Sequence, residues 1–289
     1  MNNLIRKASR LLPDSLYLQL MFYKHFHKFA NLKNPRGYNE KLQWMKMNDR
    51  NPLYTKIVDK LAMKEYIAEK VGAEYAVPTL GVWDKPEDID FSKLPNQFVL
   101  KWNHDSGSIV ICKDKSKFTP QDAIQKLSYG AKVNGYWYGR EWPYKNVPPK
   151  LIAEPYLEDK KTGELRDYKF FGFDGDVKMF LIASQRQNPN EDTKFDFYDM
   201  NCNHIVMVNQ HPNAKVAPEP PVNFTLMKEL SEKLSKGFAH LRVDFYEVDG
   251  VVYIGELTLF HGSGLMTFEP EKWYNEMGDW IDLSKCNKQ

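Results

Sequence analysis

Apolar positions follow a helical rhythm in the first quarter of the chain and a strand-like rhythm in most of the rest. In "DSLYLQLMFYKHFHKF" they recur every three or four residues, with Asp14 or Ser15 placed as a cap after Pro13. "NPRGYNEKLQWMKMND" opens with turn residues and continues as a helix through Trp44, and "VDKLAMKEYIAEKVG" is a further helix that Gly72 closes. After about residue 75 the pattern changes. "AVPTLGVW" predicts a short strand, and "QFVLKWNHDSGSIVICKD" a strand, a Gly-Ser turn and a strand. "TPQDAIQKLSYGAKVNG" is a helix capped by Thr119, with Pro120 in its first position. "YWYGREWPYKNVPPK" reads as an aromatic, proline-rich loop, and "LIAEPYLED" as an apolar strand entering a polar break. "DYKFFGFDGDVKMFLIASQR" is a hairpin turning at "DGD", and "NEDTKFDFYDMNCNHIVM" is further strand before a proline-rich loop at 212–221. The helix "FTLMKELSEKLSKGF" precedes a last hairpin, "HLRVDFYEVDGVVYIGELTLFHGSG". The expected class is α+β: a helical N-terminal region over 1–75, then a hairpin-rich body.

Composition adds bounds. Over 289 residues, 42% hydrophobic and 14% aromatic content supports a large core. A net charge of +2 argues against a bulk nucleic-acid binder, so no nucleic-acid partner is expected. Cys112, Cys202 and Cys286 lie far apart with no CxxC spacing, which fits a reducing cytoplasm. No apolar run is long enough to cross a membrane. The start, "MNNLIRKASRLLPDS", lacks the apolar core and cleavage site of a signal peptide. It reads either as a solvated helix or as an amphipathic one, with Arg6, Lys7 and Arg10 on its polar side, docking peripherally to a membrane or partner.

The last hairpin carries Asp244 and Glu256 inside two hydrophobic strands. Strand alternation puts Arg242, Asp244 and Tyr246 on one face, and Ile254, Glu256 and Thr258 on one face of the next strand. A two-residue loop at Asp249-Gly250 would throw Glu256 to the far side from Asp244. A three-residue loop, Val248-Asp249-Gly250, sets Asp244 opposite Ile254 with Glu256 diagonal on the same face, and is the expectation here. Two like charges on one face repel and lose hydration if buried. A divalent cation relieves both, and hard oxygen ligands suit Mg²⁺. Two unrelated acids on a solvated face are the alternative. The following "HGSG" offers backbone N–H groups to an anion.

Lys101 ends an apolar strand before the small-residue turn containing Ser106, Gly107 and Ser108. It either reaches a phosphate or snorkels to solvent. The break at Glu154-Pro155-Tyr156-Leu157 exposes backbone beside apolar walls, as an adenine-reading edge does. His25 and His27 are two apart on a helix, which puts them on different faces and argues against a metal pair.

In order, "VDKLAMKEYIAEKVG", "FVLKWNHDSGS", "LIAEPYLED" and "RVDFYEVDGVVYIGELT" resemble the ATP-grasp superfamily. "NPRGYNEKLQWMKMNDRNPLYTKIVDK", "YGREWPYKNVPPKLIAEPYLED" and "LRDYKFFGFDGDVKMF" resemble its TupA-like branch, of bacterial polysaccharide loci, over roughly residues 30 to 270. The resemblance implies two α+β subdomains sandwiching ATP behind the helical region: a lid at 76–150 and a C-terminal subdomain at 151–289 with the metal-binding hairpin. It implies that Lys60, Lys101 and the Ser106-Gly107-Ser108 loop contact ATP phosphates. Glu154, Tyr156 and Leu157 would form the adenine hinge, with Asp159 or Glu158 for the ribose. Asp244, Glu256 and Thr258 would hold Mg²⁺. Thr258 stands where the superfamily usually has Asn, and a hydroxyl is a weaker metal ligand. The superfamily's usual N-terminal Rossmann-like domain is not apparent.

The activity so implied is ATP-dependent joining of a carboxylate to an amine through an acyl phosphate, with an acidic sugar or polysaccharide carboxylate and an amino acid as partners. Arg242 would lie near the transferring phosphate, with Arg186 and Lys169 as further catalytic candidates. Arg140, Trp137, Tyr138, His261 and Ser263 are substrate candidates. For Arg140 and Arg186 a surface ion pair is the competing reading, and for the aromatic residues plain packing. A glycosyltransferase is a second class, from the Asp88-x-Asp90 spacing, although a solvated turn explains it. A non-catalytic nucleotide-binding module is a third. No protein-kinase motif set is present.

Overall fold

The computed structural model describes residues 9–105, 107–131, 133–186 and 190–287. Ser106 and residues 1–8, with Arg6 and Lys7, lie outside the described residues. Among the described residues, the first helices after Pro13 are α1 (Asp14–Phe26), α2 (Tyr38–Asn48), α3 (Leu53–Val58) and α4 (Ala62–Lys70). Pro13 takes the N-cap position of α1, so Asp14 falls in the first turn. There its charge complements the helix dipole.

The strands form two antiparallel sheets. β1 (Gly81–Trp83), β2 (Phe98–Trp102), β3 (Ile109–Cys112) and β4 (Leu151–Pro155) make a four-stranded sheet of order β1-β4-β2-β3. Its alternation is legible residue by residue. Phe98, Leu100, Trp102, Leu151 and Ala153 pack with Ala123 and Leu127 of α5 (Pro120–Gly130) into a small core. Val99, Lys101, Ile152 and Glu154 then point the other way, with Val99 opposite Glu154 and Lys101 opposite Ile152. The aromatic segment after α5, expected to be loop, forms a short helix α6 (Tyr136–Gly139) and a 3₁₀ turn, Trp142–Asn146. β4 was grouped with the C-terminal part in the sequence reading, but it pairs into this smaller sheet.

β5 (Asp167–Phe173), β6 (Asp176–Ser184), β7 (Lys194–Asp199), β8 (His204–Ile205), β9 (Leu241–Val248) and β10 (Val251–Thr258) form the second sheet, of order β10-β9-β5-β6-β7-β8. α7 (Phe224–Ser235) covers it through Met227, Leu230 and Leu234. α8 (Lys272–Trp280) packs against α2. Residues of α2, α3 and α4, among them Leu42, Ile57 and Ile67, share this larger core with the six strands. Helices α2, α3 and α4 are therefore part of the body that carries the last hairpin.

Candidate functional site

The β9–β10 hairpin turns in two residues, because Val248 pairs with Val251 and both Asp249 and Gly250 have positive φ, 50° and 83°. That is the primed turn an Asp-Gly pair favours, not the three-residue loop expected from the sequence. The expected pairing of Asp244 with Ile254 is also absent: Ile254 pairs with Phe245, and Glu256 pairs directly with Asp244. A bulge at Gly255 makes both statements compatible. It adds one residue to β10 and reverses the alternation, so Ile254 enters the core while Glu256 joins Asp244 and Arg242 on the opposite face. A Cβ at Gly255 would lie 2.4 Å from the Tyr246 ring, so the bulge needs glycine.

Lys169 of β5 pairs with Asp244 from the other side. Lys169, Asp244 and Glu256 thus form one row across three strands. Lys169 Nζ donates to Asp244 Oδ2. Arg242 grips the same carboxylate with both prongs, Nε to Oδ1 at 2.6 Å and Nη2 to Oδ2 at 2.7 Å. Burial alone would raise the Asp244 carboxyl, but Arg242 and Lys169 outweigh it and hold it at about 2. Lys60, from the turn between α3 and α4, places Nζ 3.4 Å from Glu256 Oε1 and donates to the Asp105 carbonyl at 2.9 Å. Burial would raise the Glu256 carboxyl, but Lys60, with Arg242 and Lys169, holds it below its usual range. The repulsion expected between the two acids is thus offset by the protein's own cations.

This arrangement decides how the residues fit a metal. Three hydrogen bonds already occupy the Asp244 oxygens, leaving about one of roughly four lone-pair sites. Thr258 Oγ1 accepts from Arg242 Nη2 at 3.0 Å. Glu256, with its side chain 33% exposed, presents the open carboxylate of the set. Among the described residues no cluster of three or more His, Cys, Asp or Glu could hold an ion alone. The set fits Mg²⁺ held by Glu256 together with nucleotide oxygens, which is how Mg²⁺ commonly binds.

The cleft face of the small sheet forms a pocket of about 230 Å³ lined by Val99, Ile109, Ile111, Leu157 and Leu165, with Lys101, Glu154, Tyr156, Arg186 and Tyr246. Apolar walls beside the Glu154–Leu157 edge fit a purine. Glu154 is buried between two cations, 2.5 Å from Lys101 and 2.8 Å from Lys64. Burial would raise it, but those two charges hold its carboxyl low. Arg186 lines this pocket and pairs with Asp167. Of the two ribose candidates, Asp159 is engaged as a turn cap. It accepts from Asp249 N at 3.0 Å and from Thr162 N and Oγ1 at 2.8 and 2.9 Å. Glu158, 44% exposed at its side chain, is the more open. In the adjoining loop the Gly107 and Ser108 amides donate to the Asp105 carboxylate at 2.6 and 3.1 Å, so a phosphate would have to displace that contact.

A second cavity of about 500 Å³ lies beside this loop, lined by His104, Asp105, Gly107, Ser108, Tyr138, Glu141, Tyr144 and Ser263 among others. Its walls are pinned by a buried lysine that sequence reasoning missed. Lys46 Nζ donates to Gly139 O at 2.7 Å and to Ser263 O and Oγ at 2.8 Å each. Burial pulls Lys46 down to about 8, with Glu141 opposing. Burial raises Glu141, and Glu256 adds to that shift. Glu256 is also felt at Tyr144 in this cavity and at Tyr246 in the other, so the carboxylate row lies in reach of both.

Three substrate candidates lie elsewhere. Arg140 is 1% exposed, sandwiched by Tyr17 and Trp137 and donating to Ser9 O at 2.7 Å, with Asp14 at 3.4 Å. It and Trp137 pack α1 against α6. His261 is buried, with Nδ1 2.6 Å from Arg242 Nη1 and Nε2 3.1 Å from Asn209 Oδ1. Burial and Arg242 push its pKa far down, so a neutral ring steadies the guanidinium. Asp90 caps its own turn, accepting from Ser92 N and Oγ, as a solvated turn would.

The profile of one protein family, TupA-like ATPgrasp, matches residues 40–282. No curated protein matches the sequence. Similar solved structures include D-alanine–D-alanine ligase from Bacillus anthracis complexed with ATP, at 18% identity over 81% of this chain and 68% of that one, TM-score 0.47. The ATP-grasp ligase PsnB with its minimal precursor shares 10% identity over 72% of this chain and 54% of its own, TM-score 0.41. D-cycloserine synthetase DcsG shares 16% over 72% of this chain and 64% of its own, TM-score 0.42.

Proposed function

Because the chain belongs to the TupA-like ATP-grasp family, we propose that it joins an acidic sugar or polysaccharide carboxylate to the amine of an amino acid, in bacterial surface-polysaccharide synthesis. Members of this fold family are ATP-dependent ligases that form carbon–nitrogen bonds, using ATP with Mg²⁺. The observation that supports the reading is the position of the Lys169–Asp244–Glu256 row, in electrostatic reach of the apolar pocket and the second cavity alike.

On this reading ATP supplies the phosphoryl group that converts the carboxylate to an acyl phosphate, and Mg²⁺ screens the phosphate charge. Lys101 and Lys60 hold the phosphates, with Glu154 fixing Lys101. Glu256 is the protein's main metal ligand. Arg242, locked by Asp244 and His261, faces the transferring group at no reorganisation cost. The second cavity takes the amine. Glu141, raised by burial, accepts the ammonium proton so that a neutral amine attacks the acyl carbon and phosphate leaves. Three free cysteines support a reducing, cytoplasmic setting, which we place at the inner face of the membrane.

The test is nucleotide analysis after incubation with ATP, Mg²⁺, pooled uronic acids and amino acids. ADP that requires both an acid and an amine supports the ligase. Cleavage of UDP-sugars with ATP untouched would replace it with a glycosyltransferase.

A further inference from the structure

The outer face of α1 is apolar and is left exposed by the described residues. Leu16, Leu20 and Tyr23 fall at i, i+4 and i+7, and are 46, 46 and 47% exposed. Phe29, at 63%, stacks on Tyr23 with ring centroids 5.0 Å apart, and Leu11, in the turn before the helix, is 86% exposed. Exposed apolar residues scattered singly need no explanation, but a stripe along one helix does.

The helix and the loop after it are predominantly basic in sequence. Between residues 9 and 39 the sequence carries Arg10, Lys24, Lys28, Lys33 and Arg36, and its only acid is Asp14. Asp14 is engaged inward, by Tyr136 Oη at 2.7 Å and by Arg140. Lys24 and Lys28 are exposed beside Tyr23 and Phe29. Glu269 and Glu271 line a groove against Phe22 and Phe26, and Lys28 stands in the same groove, over the Tyr274 ring.

The helix is also firmly backed. Tyr17 Oη donates to the Tyr138 carbonyl at 2.9 Å, and Gln19 exchanges hydrogen bonds with the Ala30 backbone at 2.8 and 2.9 Å. An apolar stripe flanked by cations on a rigid helix matches an interfacial helix. We propose that α1 is a docking face for an anionic membrane surface, with Leu16, Leu20, Tyr23 and Phe29 entering the headgroup region and Lys24 and Lys28 meeting the lipid charge. This does not depend on the ligase reading.

The experiment is vesicle flotation of the full-length protein with phosphatidylcholine alone and with an equal mixture of phosphatidylcholine and phosphatidylglycerol. Binding to the mixed vesicles, weakened by salt and by neutral lipid, is expected. Leu16→Glu/Leu20→Glu should lower the bound fraction roughly tenfold, and Lys24→Glu/Lys28→Glu should remove the preference for anionic lipid. Both variants change exposed residues and should keep the wild-type thermal melt and ATP affinity. Absence of binding, or binding unchanged in both variants, overturns the proposal. So does a dimer in light scattering that Leu16→Glu/Leu20→Glu converts to monomer, since the stripe would then cover a second copy.

Discussion

Asp244 and Glu256 stand directly opposite one another because Gly255 takes up one residue of β10 without a partner in β9. The relationship rests on a close approach: the Tyr246 ring fills the space a side chain at 255 would need. Gly255→Ala should therefore destabilise the protein by about 1–3 kcal/mol, the usual cost of overpacking. Tyr246→Ala in the same chain should make the combined loss smaller than the sum of the two singles. Denaturant melts of the four proteins measure that coupling, and strict additivity would contradict it.

Lys46 ties α2 to both walls of the second cavity. Lys46→Met removes the charge but keeps the stem, leaving Gly139 O without its donor and Ser263 O with Gln43 Nε2 alone. Product formation should fall at least tenfold, while ATP affinity, which the proposed reading assigns to the other pocket, should stay within about twofold. Calorimetry with ATP beside ADP release under saturating ATP separates the two. A matched loss of both would point to general unfolding.

How much of this was legible depended on sequence distance. Helices α1, α2, α4, α5 and α7, both Asp-Gly hairpins and the face of β2 carrying Lys101 follow from local periodicity and turn chemistry. Gly255 was a readable bulge signal, since glycine inside a strand often marks one. Strict alternation through Gly255 predicts a three-residue loop in place of the bulge. Arg140 and Asp159 looked free because their partners, Asp14 and Asp249, lie far along the chain. Lys46 gave no signal: within "KLQWMKMND" it has the spacing of an ordinary exposed lysine, and only the packing of α2 onto the 261–264 turn buries it. The charge compensation of Asp244 was half visible, because Arg242 lies two residues away while Lys169 arrives from another strand.

Acid should weaken the fold well before the carboxylates titrate. His240 is buried, with Nε2 2.8 Å from Tyr38 Oη and Nδ1 2.9 Å from Leu259 O. The carbonyl needs a donor, so Nδ1 carries the proton and the neutral ring accepts from Tyr38. Burial, assisted by Arg242, pulls His240 down to about 4. An unfolded histidine titrates near ~6.5. Between those values the unfolded chain binds a proton that the native state refuses, so stability falls as pH falls. The loss from this group is on the order of 3 kcal/mol by the lower end. His261 is depressed with the same sign and adds to the slope. Urea melts from about pH 7 to 4.5 should show the decline, and His240→Gln should flatten part of it. An unchanged slope would mean that His240 is protonated in the native state.

The two acids of the hairpin should respond oppositely to loss of charge. Asp244 is buried and counters Arg242 and Lys169. Asp244→Asn leaves two buried cations without their carboxylate, and breaking a buried pair in that way commonly costs about 3–5 kcal/mol. Its signature is a lowered melting temperature, with activity lost alongside stability. Glu256 differs: its side chain is one-third exposed and its cation, Lys60, also has the Asp105 carbonyl. Glu256→Gln should change stability by less than about 1 kcal/mol, as for other solvent-screened pairs. It should nonetheless abolish most Mg²⁺-dependent ADP formation, because a neutral amide is a poor substitute for an anionic ligand. Raising Mg²⁺ should restore part of the Glu256→Gln activity and none of the Asp244→Asn stability. Thermal melts and ADP release on the same preparations distinguish the roles. If Glu256→Gln melts far below wild type while Asp244→Asn does not, the assignments of metal ligand and charge anchor are reversed.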